Sequence, residues 1–317
     1  MEQLRYGIMS ASSIAPRFIA AVREAGAGKI VALSSRTMEK AQEKADLWEI
    51  PKAYGSHQAL LEDRDINIVY ISSVNGQHYV MAKQALEMGK HVICEKPCTT
   101  SAVETRKLFA LAREKGLFLM EAQKMLFLPA ILAVRDRIAA GELGNIYMAE
   151  LSHSFSAGYN AWQFEPALGG GTLLSSGIYA VQLLQFLFGQ IQQISGVRST
   201  LDNGGEWQYV VSGQMDGDVL FSFRNSTQVT LQNSAIIYGT NGHIVIPEYW
   251  KARKVIICKS GAEPEVLEFP CKHELVYEAD HVAKCIQEGR TESPVITEKV
   301  SVDGISALEA ITESWRK

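Results

Sequence analysis

The sequence is poor in the features that define several large protein classes. Its five cysteines, at 94, 98, 258, 271 and 285, are odd in number and include no Cys-x-x-Cys pair. With most of them inside apolar runs, that pattern suits reduced thiols rather than a disulfide framework, and a cytoplasmic location is expected. The seven histidines are scattered without ligand spacing, so no metal is expected. There is no block of basic residues, and the formal net charge is −4, so nucleic acid is not an expected partner. No apolar run approaches the roughly 18 residues of a membrane span. The start, Leu4-Arg5-Tyr6-Gly7-Ile8-Met9, lacks the charged and long apolar regions of a signal peptide. Neither export nor membrane insertion is expected.

What is present is a change of periodicity. The 317 residues are enough for about two domains. Up to residue 121, short apolar runs near 4–9, 29–35, 66–72, 90–95 and 117–121 alternate with helical spacing near 13–25, 37–48, 76–88 and 101–115. Thr37 and a Ser101/Glu104 capping box can start helices, and Gly89 and Gly116 can stop them. This alternation predicts an α/β fold whose N-terminal domain, residues 1–121, is a Rossmann-type doubly wound parallel sheet.

From 122 onward a helix is expected from Pro129 to about Ala140. Strands follow near 145–156, 190–199, 206–214, 218–224, 227–237, 243–247, 254–258 and 265–269, with hairpin turns at Asp216-Gly217 and Asn241-Gly242. Residues 122–317 are therefore expected to form an α+β domain on a large, mainly antiparallel, open-faced sheet, with closing helices near 274–288 and 301–315. An open face calls for cover, from the domain's own helices or from another subunit.

The candidate chemistry gathers at strand ends. The first strand-to-helix turn, Gly7-Ile8-Met9-Ser10-Ala11-Ser12-Ser13-Ile14-Ala15, has serine at the first two positions of the G-x-G-x-x-G/A fingerprint and alanine at the third. Ser10, Ser12, Ser13 and Ile14 can line a pyrophosphate, or the serines can simply cap a helix. After the second strand, where an acid would accept a ribose 2′-hydroxyl, stand Ser35 and Arg36. A guanidinium suits a 2′-phosphate, favouring NADP over NAD, unless Arg36 is merely a solvated helix start. Asn75 and His78 open the helix after the third of these strands, as caps or as ligands to the cofactor. The run His91-Val92-Ile93-Cys94 ends in Glu95-Lys96-Pro97 at the same sheet edge, and Lys96 is the first candidate for chemistry there.

Further on, three glycines (169–171) precede Ser175, Tyr179 and Gln182, spaced to share one face of a helix. Tyr179 can be a proton carrier or a core aromatic with a satisfied hydroxyl.

The ordered set Gly7…Ile14-Ala15, Asn75-x-x-His78, Gly89-Lys90-His91-Val92 and Glu95-Lys96-Pro97 resembles the family of NAD(P)-dependent oxidoreductases typified by glucose-fructose oxidoreductase and inositol dehydrogenase. The resemblance spans essentially the whole chain. Gly177-Ile178-Tyr179 and Trp162-x-Phe164-x-Pro166 are similar to the branch that includes glucose-fructose oxidoreductase and dimeric dihydrodiol dehydrogenase. It implies an NADP-dependent enzyme acting on the secondary alcohol or carbonyl of a small polyol, sugar or dihydrodiol. Lys96 would lie beside nicotinamide and substrate, often before a cis proline; Glu95 and Pro97 would join the cofactor site, and Tyr179 would move the proton. A homodimer or dimer of dimers is also implied. A free tyrosine, with a pKa of about 10, needs a nearby ammonium to act as a base near neutrality, and Lys96 can supply one.

Two departures stand out: Leu126 occupies the family's usual arginine position, and Ser175 that of its aspartate. Lys124 can substitute for the missing polar group, and Lys124, Trp162 and Tyr179 are the candidate substrate walls. The alternative reading is a catalytically impaired, nucleotide- or sugar-sensing homologue.

Overall fold

A computed structural model describes residues 3–155 and 160–316. The chain divides into two compact units, Met1–Gln123 with His273–Val302, and Lys124–Lys272 with Asp303–Lys317.

In the first unit the elements run β1 (Arg5–Met9), α1 (Ala15–Ala25), β2 (Lys29–Ser34), α2 (Met38–Leu47), β3 (Lys52–Tyr54), α3 (His57–Glu62), β4 (Ile68–Ile71), α4 (His78–Glu87), β5 (His91–Glu95), α5 (Ala102–Glu114) and β6 (Leu119–Ala122). The six strands are parallel in the order β3-β2-β1-β4-β5-β6. The doubly wound sheet is as expected, with β3 and α3 added. At three and six residues, these two elements are too short to show a period.

The predicted boundaries have physical agents. Lys40 donates its backbone N–H to Thr37 Oγ1 at 3.3 Å, which caps α2. Gly89 and Gly116 stop helices at φ of 75° and 64°. The Ser101/Glu104 capping box does not form: the Ser101 side chain makes no cap, and its backbone N–H goes instead to Thr99 Oγ1 at 3.1 Å. Met9, Val69, Ile71, Val92, Leu108 and Phe109 anchor the core, and the strands need apolar residues on both faces because helices cover both. The segment His273–Val302 counts with this unit, and Leu119 donates its N–H to the Thr291 carbonyl at 3.0 Å.

The second unit begins with a 3₁₀ turn, Lys124–Phe127, and then α6 (Pro129–Ala139), with proline in the first helical turn as expected. Next come β7 (Ile146–Ser154), a π-helical turn Leu173–Gly177 that leads into α7 (Ile178–Phe188), β8 (Ile191–Thr200), β9 (Glu206–Met215), β10 (Leu220–Ser226), β11 (Ser234–Gly239), β12 (Gly242–Pro247), β13 (Lys254–Lys259) and β14 (Glu265–Glu268). Eight strands form one sheet in the order β14-β13-β12-β11-β7-β10-β9-β8, and only β7 and β10 pair in parallel.

Two expectations change here. Residues 227–233 are irregular, so β11 starts at Ser234 rather than 227. Glycine pairs with glycine at 239 and 242, which moves the hairpin turn to Thr240-Asn241. Ser156, the last residue of the strand expected at 145–156, lies outside the described residues.

The sheet has two unlike faces. Leu151, Phe221, Phe223, Ala235 and Ile244 are buried. On the other face Met148 sits opposite Leu220 and Val197 opposite Val210. These four are 43–70% exposed, two apolar pairs set toward solvent among polar neighbours such as Ser212, Ser222 and Arg224.

Candidate active site

The first site is set by topology. Between β1 and β4 the strand order reverses, and the crevice beyond the strand carboxyl ends is where such sheets hold ligands. Ser10 follows β1 with φ of 91°, a conformation natural to glycine, and its N–H continues the ladder to the Ser34 carbonyl at 3.1 Å. Ser12 donates its hydroxyl to Ser72 Oγ at 2.8 Å, tying the turn to the end of β4. Ser13 is exposed and Ile14 half-buried at the N-terminus of α1, where no side chain caps the helix. Ala15 donates its N–H to the Ser12 carbonyl at 3.3 Å and Pro16 has none to give, so a phosphate would be met by the turn before the helix; Gly7 lets the helical layer approach, since a Cβ there would meet Leu60 at 2.8 Å. These features fit a dinucleotide pyrophosphate. At the end of β2, Ser35 is buried and donates its backbone N–H to the Tyr54 carbonyl at 3.1 Å, whereas Arg36 is exposed.

The Glu95-Lys96-Pro97 corner is braced from three sides. Tyr70, stacked on Phe18 at 3.8 Å, donates its hydroxyl to Glu95 Oε1 at 2.5 Å. Asn75 is buried, and its carbonyl accepts the His78 N–H that starts α4. His78, fully buried, places Nδ1 2.8 Å from the Pro97 carbonyl and Nε2 3.2 Å from that of Ser73. Both partners accept, so a neutral ring donates to one of them; burial pushes the imidazole pKa down, against the opposing effect of the carbonyls. The Lys96-Pro97 peptide is cis, the isomer the resemblance implies.

The third brace is Glu121, which the sequence reading passed over. Its buried carboxylate accepts the Cys98 N–H at 3.0 Å and the Ser301 hydroxyl at 2.7 Å. Removing it would strand two buried donors, at about 1–3 kcal/mol each. The available signal was an acid closing the apolar run Leu117–Met120. Lys96 itself is half-buried, and burial lowers its pKa while the nearby carboxylates of Glu95 and Glu121 act to raise it.

The second unit carries the tyrosine. Ser175 lies in the π-helical turn and Tyr179 and Gln182 in α7, so a single regular α-helix does not run through all three. Gln182 is turned toward the C-terminal helix Glu298–Ser314, close to Gly304. Glu206 holds the start of the turn. Its Oε1 accepts the Leu173 N–H at 3.0 Å, and a Cβ on Gly171, at φ of 122°, would fall 2.3 Å from that oxygen. Burial raises the Glu206 pKa, opposed by the Leu173 N–H and by Arg198 at 3.9 Å. Trp162 is half-buried on the 3₁₀ turn Ala161–Phe164, its carbonyl set against Gly170.

Tyr179 is buried, and Lys124 donates from Nζ to its hydroxyl at 3.2 Å, with Nζ 5.3 Å from the ring centroid. The lysine is also buried, because the whole turn Lys124–Phe127 is. That turn packs on a second one, Tyr249–Lys251. Trp250 of the second turn lies over the His153 ring at 3.8 Å, and Phe155 meets the same ring at 4.7 Å. This aromatic cluster was invisible in sequence, since it joins the end of β7 to residues about a hundred positions later. Among the described residues no cluster of three or more His, Cys, Asp or Glu could hold a metal, and no helix is long and apolar enough to cross a membrane.

A reversed-order parallel sheet whose first helix starts without a side-chain cap, joined in one chain to a second unit whose helix α7 carries a lysine-bonded tyrosine, suits a nucleotide-dependent oxidoreductase. Comparison with known proteins makes the class specific. The oxidoreductase family with an NAD-binding Rossmann fold (GFO/IDH/MocA) matches residues 4–123, and the GFO/IDH/MocA C-terminal domain matches residues 131–245. The chain belongs to the GFO/IDH/MocA oxidoreductase family. It is 34% identical over 303 residues to trans-1,2-dihydrobenzene-1,2-diol dehydrogenase of Mus musculus, covering 92% of this chain and 91% of that protein. Identity to the Homo sapiens enzyme of the same name is 34% over 304 residues, with the same coverage.

Among solved structures, a 3-ketoreductase from Actinomadura kijaniata, in complex with NADP and TDP-benzene, superposes with a TM-score of 0.91 at 23% identity, covering 99% of this chain and 98% of that one. A levoglucosan dehydrogenase in complex with NADH and levoglucosan gives a TM-score of 0.87 at 20% identity, covering 99% and 97%. At these identities the two structures speak for the fold.

Proposed function

We propose that this oxidoreductase uses NADP to interconvert a secondary alcohol and a carbonyl on a small polyol, sugar or dihydrodiol, with Tyr179 carrying the hydroxyl proton. The reading rests on Tyr179, a buried phenol whose oxygen already holds a hydrogen bond from an ammonium 3.2 Å away. A tyrosine kept only for packing has no need of a buried cation; a tyrosine that gains and loses a proton does. When bound, NADP supplies or accepts the hydride. Ser10, Ser12, Ser13 and Ile14 would hold its pyrophosphate, Ser35 and Arg36 its 2′-phosphate, and Asn75, His78, Glu95 and Pro97 would shape the nicotinamide end of the sheet. Lys96 would stabilise negative charge developing on the substrate oxygen. The relatives named as dihydrodiol dehydrogenases favour a trans-dihydrodiol as the first substrate to try, followed by aldoses and polyols.

Titration with NADPH and NADH, followed by nicotinamide fluorescence, tests the cofactor reading. NADPH is expected to bind more tightly, and Arg36→Ala to weaken it about tenfold or more while leaving NADH unchanged, since a charge-assisted contact to phosphate is worth roughly 1.5–3 kcal/mol. Binding of NADH alone would overturn the 2′-phosphate argument. Turnover of trans-1,2-dihydrobenzene-1,2-diol or of any member of an aldose and polyol panel supports the enzymatic reading; a cofactor-binding protein that turns over none of them favours the sensing homologue.

The two exposed apolar pairs on the outer face of the large sheet, Met148 with Leu220 and Val197 with Val210, support a homodimer or dimer of dimers built on that face. Sedimentation velocity is expected to give a mass of two or four chains, and Val210→Glu to shift it toward one. A wild-type monomer at tens of micromolar would remove this assignment.

A further inference from the structure

Lys124 stands outside the motifs that carry the family resemblance, and two residues further on Leu126 fills the usual arginine position with a fully buried apolar side chain. A cation is nevertheless present at the tyrosine. We propose that Lys124 is the electrostatic partner of Tyr179: its ammonium stabilises the phenolate and lets the tyrosine exchange a proton near neutral pH. The inference rests on the reading of Tyr179 as the proton carrier.

The geometry favours the charged oxygen over the neutral one. At 3.2 Å the Nζ to Oη contact is a long bond to a neutral phenol. When the phenol loses its proton the same contact becomes an ammonium–oxyanion pair, which is shorter and roughly twice as strong. Both side chains are 7% exposed, so water screens the pair little and the gain is realised. The backbone keeps the partners in place. Lys124 belongs to a 3₁₀ turn whose three following residues, Met125, Leu126 and Phe127, are all core, and Tyr179 is the second residue of α7. Lys124 has little freedom to swing away to solvent.

Other charged and titratable groups lie on the packed elements, several of them in ion pairs of their own. On the turn packed against Lys124, Lys251 pairs with Glu248 at 2.8 Å, and Tyr249 is buried beside Trp250. On α6, Arg135 pairs with Asp136 at 2.8 Å and lies over Phe186, and Arg137 bonds Glu142 and Glu265, each at 2.9 Å. On β9, Glu206 is held by Leu173 and Arg198, and Tyr209 is buried near Gly177. His153 lies under Trp250. Asp303 and Glu309 are on the C-terminal helix that meets Gln182 at Gly304. Lys124 donates to the Tyr179 hydroxyl at 3.2 Å.

The test reads the phenol directly and needs no substrate. Protein labelled with ¹³Cζ-tyrosine and saturated with NADP is titrated with pH by NMR, the Tyr179 signal being assigned by its loss in Tyr179→Phe. In Lys124→Met the midpoint for Tyr179 is expected to rise by about one to three pH units, the range for removing a close opposite charge. Lys124→Arg, which keeps the charge, is expected to restore most of that change. An equal midpoint in Lys124→Met and wild type would overturn the proposal, and so would an arginine variant that behaves like the methionine one. NADPH affinity and melting temperature report on folding in each variant; if Lys124→Met does not fold, Lys124→Gln is read in the same way. Equal midpoints together with an inactive Tyr179→Phe would remove the role of Lys124 and leave the function standing. An active Tyr179→Phe with a shifted Lys124→Met midpoint would do the reverse.

Discussion

Tyr179→Phe is expected to lower turnover about a hundred- to ten-thousandfold, the range for losing a positioned general acid–base group, while NADPH affinity stays within about twofold. The substitution keeps the ring in its buried place on α7 and removes only the hydroxyl that Lys124 reaches. Its structural cost includes the hydrogen bond from Lys124, roughly 1.5–3 kcal/mol, well short of unfolding a domain of this size. Nucleotide affinity should be spared because the residues assigned to the pyrophosphate and the 2′-phosphate belong to the first unit. Steady-state kinetics with trans-1,2-dihydrobenzene-1,2-diol, beside fluorescence titration of NADPH, separates the two effects. A variant with turnover within threefold of wild type would end the proton-carrier assignment.

Lys96→Met is expected to cost about a hundred- to thousandfold in turnover, with most of the NADPH affinity kept. Methionine retains the apolar stem and removes the ammonium, so a loss of this size reports charge rather than packing. Burial lowers the pKa of Lys96, while the carboxylates of Glu95 and Glu121 oppose that shift. The protonated form is the one that stabilises a developing oxyanion, so activity should fall as pH rises, with its midpoint below the value of about 10.4 for a free lysine. That alkaline limb should be missing from the residual activity of Lys96→Met. A pH profile unchanged by the substitution would show that Lys96 is not the group being titrated.

The braces around Lys96 show why the corner is so heavily built. A half-buried ammonium at a sheet edge has a small choice of orientations only if the chain on both sides is fixed. Tyr70 fixes Glu95 before it, and His78 and Glu121 fix Pro97 and Cys98 after it. None of these three contacts is local in sequence, the separations being 25, 19 and 23 residues. The same logic holds at Tyr179, where Glu206, 33 residues beyond Leu173, secures the turn that leads into α7. A catalytic side chain placed to within a fraction of an ångström depends on supports of this kind.

By itself the sequence determined the two folding regimes and the places where chemistry could collect. Alternating strand and helix periods specify a parallel sheet, because parallel neighbours need a crossover between them. Glycine at 89 and 116, Thr37 and Pro129 set boundaries through their own backbone and side-chain chemistry, which is local and therefore legible. Lys96 and Tyr179 could be named because they sit in motifs whose spacing is itself local.

The tertiary structure decided everything that depends on residues far apart in the chain. It made a π turn of the segment before Tyr179, and it set His153, Phe155 and Trp250 ring against ring. It also chose which lysine meets the tyrosine. Lys124 and Tyr179 are 55 residues apart with α6 and β7 between them, and no period or propensity relates two side chains at that distance. Only the packing of the buried turn Lys124–Phe127 against α7 brings ammonium and phenol together, because its three apolar residues are held in the core and carry the lysine in with them.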